Sequence, residues 1–174
     1  MDRGRRRGRD RSARRGRRDR YNGAVGVRGP AYAARAVWFD PRNDIAVLSV
    51  PALRGISPLR LATAGSPGTA VGIVGYPEDG PLSVEPGRIG GTSTVLTQDA
   101  YGNGPVSRLV TSLSGLVRPG NSGGPLVDAG GQVAGTVFAS STSSPRAGFA
   151  VPDGVVSGAL GRAAGPVATG HCAG

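Results

Sequence analysis

The 174-residue sequence predicts an all-β protein, and three observations carry that prediction. Short apolar runs recur along the chain from Tyr32 onward. Turn-forming clusters separate them, such as PEDG at 77–80, DAYGNG at 99–104, RPGNSGG at 118–124 and DAGG at 128–131. The 31 glycines and 14 prolines fall mostly between those runs, as in turn-rich β proteins, while 38% hydrophobic residues suffice for a core.

The elements follow in order. Tyr32, Ala34, Ala36 and Trp38 alternate with other residues in a strand-like way. The turn Asp40-Pro41-Arg42-Asn43 then leads into Ile45–Val50. Further strands are predicted at Ala70–Tyr76, Gly87–Leu96, Ser107–Leu113, Pro125–Asp128, Gln132–Ser140 and Gly148–Val151. Asp153 is placed to cap one short helix over Gly154–Ala163. Many short strands at this spacing imply a barrel or a sandwich.

The charge is unevenly distributed. Of the formal +10, residues 1–20 carry +8, from 11 arginines and 3 aspartates, which leaves +2 for the rest. No lysine occurs, and the abundance of Arg, Gly, Ala and Pro points to a GC-rich, bacterial genome. The first 28 residues therefore read as a disordered Arg/Gly tail. A nucleic-acid reading of that tail ranks low, because it lacks interleaved aromatic residues and the charge ends with it. Residues 1–20 contain no apolar stretch of the kind a signal peptide needs, and no run of 18 apolar residues exists anywhere in the sequence. The single Cys172 is either an unpaired thiol or a residue whose partner is absent.

The chemistry lies in Gly120-Asn121-Ser122-Gly123-Gly124-Pro125. Glycines around a serine allow a tight turn that gathers N–H groups near its hydroxyl, as acyl transfer requires. The nucleophile elbow of α/β hydrolases needs helices between its strands, which this chain lacks. Upstream, Asp44 directly precedes the apolar strand IAVL, where an acid can orient a histidine; it stands 78 residues before Ser122.

Together, NDIAVL and GNSGGPL make the chain resemble the trypsin/chymotrypsin superfamily, particularly its compact bacterial branches, over roughly residues 30–155. The resemblance implies a chymotrypsin-like double β-barrel. Residues 29–58 would be a remnant of an incomplete first barrel, and residues 59–174 the second barrel. It implies a serine endopeptidase that needs no cofactor or metal and acts on peptide or protein substrates. Ser122 would be the nucleophile and Asp44 the triad acid, with the amides of Gly120 and Ser122 as the oxyanion hole. Leu116 would lie at the base of the specificity pocket. Gly148-Phe149-Ala150 match the strand lining the substrate cleft. Asn121 before the serine argues against activation by an inserted N-terminal amine. With no acid near Leu116, no strong preference for Arg or Lys is expected. FDPRNDIAVL and the closing GHCAG look closer still to membrane-anchored proteases with a colicin-V-production-type membrane domain. That likeness implies an extracytoplasmic parent protein, and for Cys172 a partner near the start of the protease domain.

One part is missing. The superfamily's base is a histidine about 30 residues before the acid, yet the only histidine, His171, follows the serine by 49 residues. The expected place falls in RSARRG at 11–16. Reading the codons of Gly8–Arg18 one nucleotide later permits the string VVTAAHVVAG, the family's histidine motif, with its histidine 31 residues before Asp44. Residues 1 to about 27 are thus read as an out-of-frame translation of the first barrel. The alternative is a catalytically inactive, peptide-binding member of the same fold. Loss of the earlier strands would leave apolar faces and strand edges open, favouring aggregation or a partner. Resequencing the gene with its upstream bases should show that a single-base shift restores VVTAAHVVAG in frame; codons at 8–18 unable to encode it would exclude the shift.

Overall fold

The computed structural model describes residues 22–25, 31–62 and 65–170. Nine strands and one α-helix occur among them: β1 (Asn22–Val25), β2 (Tyr32–Asp40), β3 (Ile45–Ser49), β4 (Ala70–Gly75), β5 (Ser83–Thr97), β6 (Val106–Gly115), β7 (Pro125–Asp128), β8 (Val133–Ser140), β9 (Ala147–Val151) and α1 (Asp153–Arg162). The all-β expectation is met, and each predicted strand appears within a few residues of its expected bounds.

β4 to β9 form a closed barrel in the order β4-β5-β6-β9-β8-β7. Closure comes from the antiparallel pairing of β4 with β7, Val71 opposite Asp128 and Ile73 opposite Leu126. Closing a sheet on itself leaves no open edge, which suits a chain with little helix to cover one. The strands alternate so that Val71, Ile73, Ile89, Leu113, Leu126 and Val137 fill the interior, and Ile73 and Leu126 are fully buried. The long β5 bends where its register with β6 shifts between Ile89 and Thr92, at Gly90-Gly91. Its first residues escaped the sequence reading because Pro86 interrupts the run. Pro86 pairs with Gly72 of β4, but β6 first joins at Gly87, so one side of the strand there is free of the ladder.

β1, β2 and β3 form a separate three-stranded antiparallel sheet. Asn22–Val25 is thus a strand, inside the segment 1–28 that was expected to lack structure; its register runs from Asn22 opposite Arg35 to Val25 opposite Tyr32. The rest of residues 1–28, with RSARRG and the shifted-frame string, lies outside the described residues. Hydrogen bonds and a cation–π contact tie this sheet to the barrel and to the chain around α1. The Arg42 Nε donates to the Ser107 carbonyl at 3.1 Å, and the Ala100 amide to the Pro41 carbonyl at 2.8 Å. Beyond α1, the Val167 amide donates to the Ala36 carbonyl at 2.9 Å. Arg162, in the last turn of α1, sits over the Trp38 ring, 5.8 Å from its centroid. Apolar side chains remain open on this side of the molecule: Leu48 is 48% exposed and Ile56 68%.

The helix departs from expectation in one respect. It begins at Asp153 itself, after Pro152 in the cap position, and no side-chain bond caps it. Asp153 turns inward instead and is 3% exposed, with no hydrogen-bond partner on either carboxylate oxygen. Burial pushes its pKa from 3.8 up to about 6. The nearby Ala62 amide opposes that rise, although it is itself donated to the Val133 carbonyl at 2.7 Å. The folded chain therefore holds a proton that the unfolded chain has released between about pH 4 and 6. Stability should fall as pH rises through that window, by of order 2–3 kcal/mol, and level off above it. Asp153→Asn should abolish this slope in urea-unfolding midpoints compared at pH 4 and 7.5. An unchanged slope would mean that another group titrates.

Candidate active site

The turn between β2 and β3 is set by Asp40. Its Oδ1 accepts the amides of Arg42 (3.0 Å) and Asn43 (3.2 Å), and its Oδ2 accepts the Asn43 Nδ2 at 2.6 Å. These bonds form an Asx turn, which is why DPRN ends one strand and starts the next. The turn delivers Asp44 at the head of β3 with φ of 56°, a left-handed conformation that a short acidic residue tolerates better than most. Asp44 is exposed.

The serine loop is held from within by Asn121, which is fully buried. Its side-chain oxygen accepts the Arg118 amide at 2.9 Å, its own amide donates to the Arg118 carbonyl at 3.0 Å, and its carbonyl takes the Gly124 amide at 2.9 Å. Gly120 and Gly123 on either side adopt φ of +91° and +82°. Gly120 needs glycine for space as well, since a Cβ there would lie 2.2 Å from the Tyr76 carbonyl oxygen. At Gly123 only the backbone angle demands it, because nothing lies within 4 Å of an added Cβ. The result is an exposed Ser122 whose hydroxyl donates to the Phe138 carbonyl at 3.2 Å. Among the described residues, the amides of Gly120 and Ser122 donate to no backbone carbonyl.

Asp44 and Ser122 line one cleft of about 570 Å³ between the small sheet and the barrel. Ile45–Leu48 of β3 form one wall, Thr136–Phe138 of β8 the other, with Val156 and Leu160 of α1 closing one side. The structure thus brings together the two residues that the sequence singled out from separate motifs. β9 reaches this cleft through Val151. Leu116, Gly148, Phe149 and Ala150 are not among the residues lining this cleft. Residues 147–151 are β9, hydrogen-bonded between β6 and β8, with Gly148 packed so closely on Val117 that a Cβ would approach it to 2.7 Å. The wall beside Ser122 is β8, and Phe138 is the residue the sequence reading overlooked. Phe138 lies on β8, the second strand after the GNSGGP loop, and its carbonyl accepts the serine hydroxyl. Behind Phe138 the buried Arg108 stacks its guanidinium over the ring, 4.4 Å from the centroid, and donates to the Gln98 carbonyl. His171 and Cys172, with the pairing expected of that cysteine, lie outside the described residues.

This geometry agrees with three comparisons. The family model described as a trypsin-like peptidase domain matches residues 8–135. Serine protease Rv3671c of Mycobacterium tuberculosis is 37% identical over 144 residues, covering 81% of this chain but 36% of that protein, so the chain spans about a third of its relative's length. The crystal structure of the Rv3671c protease in its active form superposes with a TM-score of 0.79 at 35% identity, over 87% of this chain and 68% of the other. The HtrA-type protease AlgW with a decapeptide gives a TM-score of 0.64 at 30% identity, over 76% of this chain and 41% of that one. Motif, fold and cleft therefore converge with these likenesses, and the chain belongs to the trypsin-like peptidase domain family.

Proposed function

We propose that the chain is a serine endopeptidase domain in which Ser122 attacks the scissile carbonyl and Asp44 orients a histidine base. The amides of Gly120 and Ser122 would receive the developing oxyanion. The observation that carries this reading is the shared cleft: an acid on the small sheet and a serine on the barrel face one space. Protein or peptide substrates follow from the relatives' names. An extracytoplasmic setting is supported by a DegP-like periplasmic serine endoprotease of Marinomonas that is 31% identical over 132 residues. Anchoring of the parent protein by a membrane domain belongs to the same proposal and rests on the FDPRNDIAVL and GHCAG wording.

The base is proposed to be the histidine of the shifted frame. The family match begins at residue 8, so it overlies the arginine run where that histidine would stand. The second reading, a peptide-binding member without catalysis, is favoured by the Ser122 hydroxyl itself: it donates to the Phe138 carbonyl rather than to a base. A serine hydroxyl with no base to take its proton is a weak nucleophile.

A serine-directed fluorophosphonate probe separates the readings. The unaltered chain should label at Ser122 at least about a thousandfold more slowly than an ordinary member of the family. Ser122→Ala should not label at all. Replacing Gly8–Arg17 with VVTAAHVVAG, which sets the histidine at position 13, should restore much of the rate. Normal labelling of the unaltered chain would refute the missing base, and a restored chain that stays inert would favour the binding reading.

A further inference from the structure

From the packing around the serine loop we infer that Glu85 and Arg118 are a positioning pair for the oxyanion-binding amides, an inference that rests on the role proposed above for Gly120 and Ser122. Arg118 opens the loop, and its main chain is fixed on both sides by Asn121. Its guanidinium Nη2 donates to the Glu85 Oε1 at 2.8 Å, with the two side chains 34% and 28% exposed. Glu85 stands on β5 directly opposite Ile73 of β4, whose side chain is fully buried in the barrel. The anchor is therefore a rigid wall. The Arg118 Nε is buried without an acceptor, so among the described residues Glu85 supplies the guanidinium's one charged tie.

The next peptide bond is where this tie acts. The Pro119 carbonyl accepts the Glu78 amide at 2.7 Å. A peptide bond is planar and trans, so a carbonyl held toward Glu78 sends the Gly120 N–H the opposite way. Rotating that peptide needs only changes about its flanking bonds, and Gly120, already at φ of +91°, offers little resistance. The restraint must come from outside the glycine. Glu78 holds the carbonyl, and Arg118, one residue earlier, holds the chain that leads into it. Without Glu85, a part-buried guanidinium loses its counter-charge and gains by swinging toward water, taking the start of the loop with it.

Hydrogen exchange followed by mass spectrometry on peptides spanning 116–124 reads this directly. Glu85→Gln and Arg118→Gln should each speed exchange there by roughly three- to fivefold, as expected for a partly exposed ion pair, with the β4–β5 peptides unchanged. The double charge reversal Glu85→Arg with Arg118→Glu should return exchange to within about twofold of the starting chain. The slow fluorophosphonate labelling of Ser122 should fall and recover in parallel. Unchanged exchange in both single variants, or no recovery in the reversal, would overturn the pair. Labelling of the starting chain no faster than of Ser122→Ala would instead sink the proposed nucleophile, while the exchange result would still decide the pair.

Discussion

Everything at the serine depends on Asn121 being buried. A fully buried amide side chain must find partners or cost about 1–3 kcal/mol, and the oxygen of this one accepts the Arg118 amide, at the start of the loop that carries Ser122. That bond, with the Asn121 main-chain bonds to Arg118 and Gly124, closes the loop into one conformation. Its Nδ2 has no acceptor and presses on Gly75, where a Cβ would come within 2.6 Å. The glycine of β4 and the asparagine of the loop therefore fix one another. Gly120 and Gly124 then fit against the carbonyls of Tyr76 and Val74, where only a hydrogen fits. The loop is a rigid extension of the barrel.

Catalytic geometry also needs the acid, and Asp44 belongs to a different sheet. Its position relative to Ser122 is only as firm as the ties between the two units. Two of those ties flank the Asp44 turn, where Pro41 and Arg42 each bond to the β5–β6 side of the barrel, and a third joins the chain after α1 to β2. Phe39 adds an edge-on contact with Tyr101, their centroids 6.0 Å apart. The turn that Asp40 builds for its own sake thereby becomes the joint that aims Asp44 at the cleft. Main-chain and aromatic contacts of this kind resist salt, unlike an exposed ion pair.

The barrel strands were readable because each has one face in the core, so its apolar period survives in sequence. The serine loop was readable because GNSGG places glycines where the backbone must turn tightly, and Gly120 and Gly123 do adopt positive φ. What stayed hidden is relational. β1 sits in Asn22–Val25, four residues with too little pattern to announce a strand beside an arginine run; pairing with β2 makes it one. Pro86 disguised the start of β5 because a proline argues against a strand unless one side is unpaired, and pairing is not visible in sequence. The wording GFAVP points to β9, which reaches the cleft through Val151, while the longer stretch beside Ser122, Thr136–Phe138, comes from β8. Neighbours in the barrel run β6-β9-β8, so two strands adjacent in space differ in which one meets Ser122. Asp153 looked like a cap because of its place before a helix, but the cap position falls on Pro152 and the carboxylate points inward.

The missing base does not weigh equally against every part of the site. Among the described residues, the amides of Gly120 and Ser122 donate to no backbone carbonyl, so on the proposed function they can take an oxygen from a bound peptide. A peptide carbonyl satisfies them whether or not it is cleaved, so they fit both a protease and a binder. Asp44 is different. An exposed carboxylate at a left-handed backbone position contributes little to stability, and a peptide bound through its main chain does not require it. A histidine between it and Ser122 does. On the proposed function, Asp44 is therefore the residue whose role separates a protease from a peptide binder.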